Sequence, residues 1–225
     1  MSSDPRSEKQ FFGDETNLSR LTIPMFGLYF RAASRLQVIG QENIPAEGGC
    51  LLVANHLAQI DSFLLQHVSP RHVLFMAKAE IFAHPASDYF FRQMGAFPVH
   101  RERLDRWALK YALEILAKGH ALGIYPEGER SKHKQLQEAK VGPAFLAIKS
   151  NRPLIPIAIT GTHRVLRQWW PLRAPVTVRF GEPLYPLPGE SPQALTERMM
   201  QTIASMLPPE MRGVYQAQAV GGSDF

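Results

Sequence analysis

Short apolar runs alternate with amphipathic segments along the chain from residue 49 onward. The apolar runs have the length of buried strands, and the segments between them repeat apolar residues at the three- and four-residue spacing that is typical of helices. In order, the segments are CLLVA, DSFLLQHV, HVLFMA, PASDYFFRQM, AFPV, LDRWALKYALEILAKG, ALGIYP, GPAFLAIKS and LIPIAI, followed by VTVRF and PQALTERMMQTIASML. This alternation predicts an α/β fold with a mixed, largely parallel sheet that is flanked by helices.

The segment RLTIPMFGLYFRAASRL, residues 20–36, carries its apolar residues at helical spacing with three arginines at the border of that face. The apolar positions are Met25, Leu28, Tyr29, Ala32 and Leu36. A membrane-spanning helix needs roughly 20 apolar residues, and the stretch between the first two arginines is far shorter. We therefore predict an N-terminal amphipathic helix, which either lies on a bilayer surface or packs on its own domain.

Composition narrows the class of protein. The chain has 225 residues, 45% of them hydrophobic, which suits one substantial core. Its one cysteine excludes an internal disulfide, and no secretory signal pattern opens the sequence, so we expect a cytoplasmic location. The net charge of +5 favours an anionic partner: nucleic acid, an anionic membrane surface or a phosphorylated small molecule. Because we identify no interleaved basic and aromatic surface, we expect no nucleic-acid partner.

A histidine and an aspartate follow the first buried run, in LLVANHLAQID. Residues i and i+5 lie about 140° apart around a regular helix, so His56 and Asp61 meet only if the backbone bends between them. The bend is present if LLVA is a strand and DSFLLQHV is the next helix. Asp61 can then orient the imidazole of His56 as a general base. Alternatively, Asp61 is an N-cap and His56 is structural.

Two arginines also follow predicted strands. In YPEGERS, a glycine turn offers backbone N–H groups to an anion and Arg130 can grip a phosphate; in GAFPVHRER, Arg101 follows a short strand. In a mostly parallel sheet these strand ends share one edge, where His56, Arg101 and Arg130 can converge on an anionic substrate. A plain surface turn is the alternative.

Several motifs are absent from the sequence: G-x-S-x-G, G-x-x-x-x-G-K-[ST], G-x-G-x-x-G and H-E-x-x-H. The other histidines are too scattered to suggest metal ligands, so we expect neither a metal nor a cofactor. A base without an enzyme nucleophile indicates a transferase in which His56 deprotonates a substrate alcohol, which attacks an activated carbonyl.

Four blocks resemble the glycerolipid acyltransferases, the family of 1-acyl-glycerol-3-phosphate acyltransferase. NHLAQID resembles N-H-x-x-x-x-D, GAFPVHR is similar to G-x-x-P-V-x-R, YPEGERS looks like F-P-E-G-x-R-S, and LIPIAITG resembles the proline-containing fourth block. They occur in the family's order between Asn55 and Gly161. The chain departs from the usual pattern at Ala58, Tyr125 and Glu129.

The resemblance implies a one-step transfer of a fatty acyl group from an acyl-CoA or acyl-carrier-protein thioester to a lysophospholipid hydroxyl, without a metal, a cofactor or a covalent acyl-enzyme. The acceptor that we favour is 1-acyl-glycerol-3-phosphate, which would give phosphatidic acid. By position, His56 is the base and Asp61 its orienting partner, and Pro156 lies on a strand that borders the acyl-chain region. The phosphate site of the acceptor would consist of Arg101, Glu127, Gly128, Arg130 and Ser131.

The composition of the two ends and the resemblance together suggest how the chain is divided. We expect a loose N-terminal segment (residues 1–20), an amphipathic membrane-surface helix (21–36), an acyltransferase domain (37–212) and a flexible tail (213–225). The protein would act at the cytoplasmic face of a membrane, as a peripheral or monotopic protein. Trp169 and Trp170 lie among basic residues, so they are either bilayer contacts or core residues.

Other functions stay open at this stage. The acceptor can instead be glycerol-3-phosphate or a lyso-aminolipid. The protein can also bind phospholipid without turning it over, or hydrolyse the thioester with water.

Overall fold

One seven-stranded sheet organises the chain. The computed structural model describes Arg6, Lys9, Phe11 and residues 13–165 and 173–216. The strands are β1 (Ser34–Ile39), β2 (Cys50–Ala54), β3 (Val73–Lys78), β4 (Ala96–Val99), β5 (Ala121–Ile124), β6 (Leu154–Thr160) and β7 (Ala174–Phe180). The helices are α1 (Asn17–Ala33), α2 (Asp61–Val68), α3 (Pro85–Gln93), α4 (Arg106–Ala117), α5 (Gly142–Ser150), α6 (Thr162–Val165) and α7 (Pro192–Ser205). Short 3₁₀ turns occupy Gln41–Asn43, Ala79–Phe82, Pro209–Met211 and Gly213–Tyr215.

The strand order is β1-β7-β6-β2-β5-β3-β4. All neighbouring pairs are parallel except β6 and β7, which are antiparallel. The predicted α/β fold with a mixed, largely parallel sheet is therefore confirmed. The carboxyl ends of β2, β4, β5 and β6 lie at one edge of the sheet, because these strands run in the same direction.

Helices cover both faces of the sheet. Leu51 and Val53 of β2 pack into a core with α4, α5 and α7, whereas Leu52 and Ala54 pack into a second core with α1 and α2. All five residues of β2 are buried. A strand that is buried on both faces needs an uninterrupted run of apolar residues. CLLVA is such a run.

Helix α1 begins and ends earlier than the predicted range of 21–36. It starts after Thr16, whose hydroxyl accepts a hydrogen bond from the Ser19 backbone in a capping box, and it ends at Ala33. Ser34 opens β1, and Leu36 pairs with Val176 in β7. The predicted helix was too long at this end, because Leu36 has helical spacing in the sequence but pairs with β7 in the structure. Within the described residues, no helix is both long enough and apolar enough to cross a membrane.

Residues 1–20 were predicted to be a loose segment. The residues of this segment that the structure describes instead make specific contacts. Arg6 forms a two-point ion pair with Asp105 at 2.6 and 2.9 Å, and Lys9 lies 3.1 Å from Asp88. The ring of Phe11 packs on Trp107 with centroids 5.4 Å apart. These three residues therefore pack along α3 and α4. The sequence did not predict these contacts, because the partners of Arg6 and Lys9 lie some 80 to 100 residues away.

The first residues of the predicted flexible tail, 213–225, pack on the domain. Gly213–Tyr215 forms a 3₁₀ turn, the Tyr215 ring is buried, and its hydroxyl accepts a hydrogen bond from the Ala139 backbone at 3.3 Å. The aromatic ring supplies enough apolar area to anchor this turn. The rest of the predicted tail, residues 217–225, lies outside the described residues, as do Trp169 and Trp170.

Candidate functional site

The turn that leaves β2 is fixed to the neighbouring strand by Asn55. This side chain is buried; its Nδ2 donates to the Ile159 carbonyl at 3.0 Å and its Oδ1 accepts from the Ile159 N–H at 2.7 Å. Both bonds are made to the backbone of β6. The residue that follows, His56, is therefore held close to the sheet.

His56 and Asp61 meet through the backbone bend that the spacing predicted. Asp61 is the first residue of α2 and is fully buried, and its Oδ2 lies 2.8 Å from His56 Nδ1. The same oxygen accepts the backbone N–H groups of Leu57 and Ala58, at 2.7 and 2.8 Å. With an acceptor facing it, Nδ1 carries the hydrogen in the neutral ring and Nε2 keeps its lone pair. The His56 side chain is 14% exposed, so the imidazole reaches the surface of the site.

The ring of Tyr125 lies flat against the imidazole. The two centroids are 4.0 Å apart and the planes differ by 17°. The Tyr125 hydroxyl is 3.1 Å from Ser62 Oγ, one residue after Asp61. Burial, with the negative charge of Asp61, raises the pKa of Tyr125 well above its ordinary value, which keeps the phenol neutral. From the sequence, Tyr125 stood out only as a departure from the family pattern.

The turn after β5 holds the His56 backbone on both sides. Glu127 is buried, and its carboxylate accepts the N–H groups of His56 and Gln137, each at 3.1 Å. Ser131 is buried as well, and its N–H donates to the His56 carbonyl at 2.9 Å. Burial raises the pKa of Glu127 to about 7, although these hydrogen bonds oppose the shift.

These contacts change two predicted roles. Glu127 and Ser131 were predicted to contact the acceptor's phosphate, yet both are buried and engaged with the backbone around His56. We therefore assign both residues to the support of His56, a role that sequence spacing could not reveal.

Arg101 meets the same turn from the other side. It lies two residues after β4, and its guanidinium donates to the Gly128 carbonyl. Lys140 Nζ in turn donates to the Arg101 carbonyl at 3.2 Å. Gly128 has a φ of +77°, a conformation that favours glycine, so the turn needs this residue. Arg101 thus contacts the turn that carries Arg130, and the Arg130 side chain is exposed there.

Burial lowers the pKa of Arg101, while the charges of Glu80 and Glu129 oppose the shift. A guanidinium remains a cation at neutral pH in spite of such a shift, because arginine is so strongly basic. Glu129 itself is exposed.

An apolar cavity of about 430 Å³ opens beside Arg101 and Gly128, between α4 and α5. Its wall includes Met76, Val99, Ile124, Phe145 and Leu146, and Arg103 and Lys140 line it as well. Tyr125 lines the cavity and also stacks on His56. Pro156, predicted beside an acyl chain, is not among the described residues of this wall; it is buried in β6 beside Gly181.

No group of three or more histidine, cysteine, aspartate or glutamate side chains stands together as a metal site in the described ranges.

Comparisons with known proteins agree on one family. The family model described as Acyltransferase matches residues 35–160, more than half of the chain. The chloroplastic 1-acyl-sn-glycerol-3-phosphate acyltransferase BAT2 of Brassica napus is 30% identical over 135 residues, which are 59% of this chain and 39% of that protein. The 1-acyl-sn-glycerol-3-phosphate acyltransferase of Bacillus subtilis (strain 168) is 28% identical over 178 residues, 76% of this chain and 87% of that protein.

A solved structure has a similar fold. The crystal structure of the 1-acyl-sn-glycerophosphate acyltransferase PlsC from Thermotoga maritima matches with a TM-score of 0.67 and 24% identity. The match covers 82% of this chain and 78% of that one. At this identity the likeness concerns the fold alone.

Proposed function

The chain belongs to the acyltransferase family, and from this premise we propose that it transfers a fatty acyl group from an acyl thioester to the hydroxyl of a lysophospholipid. The observation that carries the proposal is the imidazole of His56, fixed at Nδ1 by Asp61 at the carboxyl edge of the sheet. The acceptor that we favour is 1-acyl-glycerol-3-phosphate, which the names of the relatives support.

In the proposed reaction, His56 Nε2 takes the proton of the acceptor hydroxyl while that oxygen attacks the thioester carbonyl. The C–O bond forms, the C–S bond of the tetrahedral intermediate then breaks, and the departing thiolate takes the proton back from the imidazolium. The products are the ester and a free thiol, so atoms and charge balance. The carboxylate of Asp61 stabilises the imidazolium between the two proton transfers.

We propose that Arg101 and Arg130 bind the acceptor's phosphate. The bond to the Gly128 carbonyl restrains the Arg101 guanidinium, and a guanidinium matches the geometry of phosphate oxygens. Glu127 and Ser131 contribute indirectly, because they hold the His56 turn against the turn that carries Arg130.

The apolar cavity beside Arg101 is our candidate for the acyl-chain site. Its wall is mostly apolar, and basic side chains line it as well, which suits a ligand with a hydrocarbon tail and an anionic head. This replaces Pro156 as the candidate acyl-chain contact.

The exposed face of α1 supports a membrane surface as partner. Leu21, Met25 and Leu28 are 64%, 62% and 71% exposed, and Arg20 and Arg31 are exposed on the same helix. A helix of this kind lies in the bilayer interface. We propose the cytoplasmic face, whose anionic lipids attract arginine.

The test is acyl transfer to lysophosphatidate by the purified protein in lipid vesicles, with long-chain acyl-CoA and acyl-carrier protein as separate donors. We expect product with the wild type and a loss of about a hundredfold or more in His56→Ala. His84→Ala, at an exposed histidine that precedes α3, serves as the matched control and should keep its activity. Circular dichroism checks that each variant is folded.

Other outcomes point to other functions. Product with glycerol-3-phosphate or a lyso-aminolipid alone would change the acceptor and leave the chemistry. Release of free fatty acid without an acceptor would indicate a thioester hydrolase. Lipid binding without turnover of any donor would indicate a non-catalytic phospholipid-binding protein. Full activity in His56→Ala would overturn the mechanism.

A further inference from the structure

We propose that Tyr125 is a positioning residue for His56: its ring fixes the plane of the imidazole, and its hydroxyl is anchored to Ser62. The inference rests on the proposed function, since it concerns the base of that reaction. The observations are the 4.0 Å stack on His56 and the 3.1 Å contact between the Tyr125 hydroxyl and Ser62 Oγ.

The hydrogen bond to Asp61 leaves one motion of the imidazole unrestrained. A single hydrogen bond at Nδ1 tolerates some bending, so the ring can still tilt about its Cβ–Cγ bond while Nδ1 stays within reach of Asp61 Oδ2. Such a rotation swings Nε2 away from the acceptor hydroxyl. The ring of Tyr125, 17° from parallel, blocks the rotation on one side.

Tyr125 is itself held in place from two directions. Its ring is close to parallel with Phe75 of β3, with centroids 6.3 Å apart and planes 16° apart. Phe75 lies over Gly123, where a Cβ would come within 2.3 Å of the Phe75 ring. The tyrosine hydroxyl reaches the first turn of α2 through Ser62. Both groups that orient the imidazole, Asp61 and Tyr125, thus depend on the start of α2.

The stack also acts on the charge that His56 acquires. An imidazolium over the face of an aromatic ring is attracted by the electrons of that face, whereas a neutral imidazole gains less. The titratable groups that contact His56 or its backbone are Asp61 from α2 and Tyr125 and Glu127 from the turn after β5. Of these, Tyr125 stays neutral, so its replacement adds no charge to the site.

Tyr125 lines the apolar cavity as well, so a positioning role must be separated from a role as cavity wall. A residue that acts through His56 loses its effect when His56 is absent, whereas a cavity wall does not. Kinetics of Tyr125→Leu in the wild-type and in the His56→Ala background therefore distinguish the two.

The experiment compares Tyr125→Phe, which keeps the ring, with Tyr125→Leu, which removes it. We expect kcat to stay within about twofold in the phenylalanine variant and to fall about tenfold in the leucine variant. In the leucine variant, the acid limb of the kcat/KM profile should move to lower pH, because the imidazolium is less stabilised. In the His56→Ala background, Tyr125→Leu should change the residual kcat by less than twofold.

A tenfold loss that persists in the His56→Ala background would overturn the proposal in favour of a cavity-wall role, and an unchanged kcat in Tyr125→Leu would overturn it altogether.

A measurement without turnover keeps the inference independent of the proposed reaction. The ring carbon proton between the two nitrogens of His56, assigned by its loss in His56→Ala, should show an upfield ring-current shift in NMR spectra of the wild type. The shift should persist in Tyr125→Phe and disappear in Tyr125→Leu. If no donor is turned over but this pattern appears, the proposed function fails and the positioning stands; if the shift is equal in all three proteins, the positioning fails.

Discussion

At the scale of single residues, His56 is restrained at four places. Asp61 binds its Nδ1, Glu127 accepts its backbone N–H, Ser131 donates to its carbonyl and Tyr125 covers one ring face. Three of these partners, Tyr125, Glu127 and Ser131, come from the turn after β5, which also meets Arg101 through Gly128. The base and the proposed anion site are therefore coupled through one short turn.

Glu127 should give the folded protein a measurable pH dependence. Its pKa is raised from 4.5 to about 7, so the folded chain holds this proton more tightly than the unfolded chain does. The contribution of this carboxyl to the free energy of unfolding is complete at low pH and is lost as the pH rises through about 7. We therefore expect the unfolding free energy of the wild type to fall relative to that of Glu127→Gln between pH 5 and pH 7.5. Urea titrations of both proteins measure this.

Glu138→Gln supplies the matched control, since Glu138 is exposed in the same segment. The difference in unfolding free energy between Glu138→Gln and the wild type should change little between pH 5 and pH 7.5. A wild type that gains stability relative to Glu127→Gln as the pH rises would show that folding lowers the pKa of Glu127, which contradicts the expected sign.

At the scale of elements, α1 has two different faces. Gly27 packs against His67 of α2 so closely that a Cβ would lie 2.3 Å from its ring, and Phe26 stacks on Phe63 at 4.2 Å. The opposite face carries the exposed stripe of Leu21, Met25 and Leu28. One face of this helix therefore packs on its own domain, and the exposed stripe is the face that we propose for the bilayer surface.

Replacing Met25 and Leu28 together by serine should weaken binding to vesicles without disturbing the fold. Both side chains are more than half exposed, so their loss removes little packing, whereas two apolar side chains fewer in the interface reduce binding at least about tenfold. The measurement is cosedimentation with vesicles of anionic and neutral phospholipids. Leu187→Ser, at a leucine that is 58% exposed elsewhere on the protein, is the control. Equal loss in both proteins would argue against α1 as the docking face.

The N-terminal segment should stabilise the start of α4 through Arg6 and Asp105. Burial raises the pKa of Asp105, but hydrogen bonds from Arg6, His100 and Ala108 outweigh it and lower the pKa to about 2. Because this pKa is depressed on folding, the stabilisation is present at neutral pH and is lost as the pH falls towards 2. We expect Asp105→Asn, which keeps the helix cap, to lower the unfolding free energy by about 1–3 kcal/mol at pH 7.

A double-mutant cycle with Arg6→Met isolates the ion pair. In urea unfolding, the double variant should lose less unfolding free energy than the two single variants lose in sum. Asp14→Asn, at an exposed aspartate, should have little effect. Strict additivity of the two changes would mean that Arg6 and Asp105 do not interact in solution.

At the scale of the whole molecule, the sequence predicted what depends on local patterns. The alternation of strands and helices identified the fold, and the five-residue spacing from His56 to Asp61 identified their contact, because each is set by a few neighbouring residues. The end of α1 was misplaced because β1 forms by pairing with a strand some 140 residues away. The roles of Glu127, Ser131 and Tyr125 were missed for the same reason: their partners, His56 and Ser62, are distant in sequence.

Asn55 has a consequence for how firmly His56 is carried. A primary amide offers one carbonyl oxygen and N–H donors, the same pair of groups as a peptide unit, and Asn55 uses them on both backbone groups of Ile159. The ladder between β2 and β6 is in effect prolonged by one rung made of a side chain. A carboxylate lacks the donor and an alkyl group lacks both, so neither can replace this rung. The Asn55 side chain thus extends the hydrogen bonding of β2 by one residue. His56, which follows it, is held by the sheet although it lies in a turn.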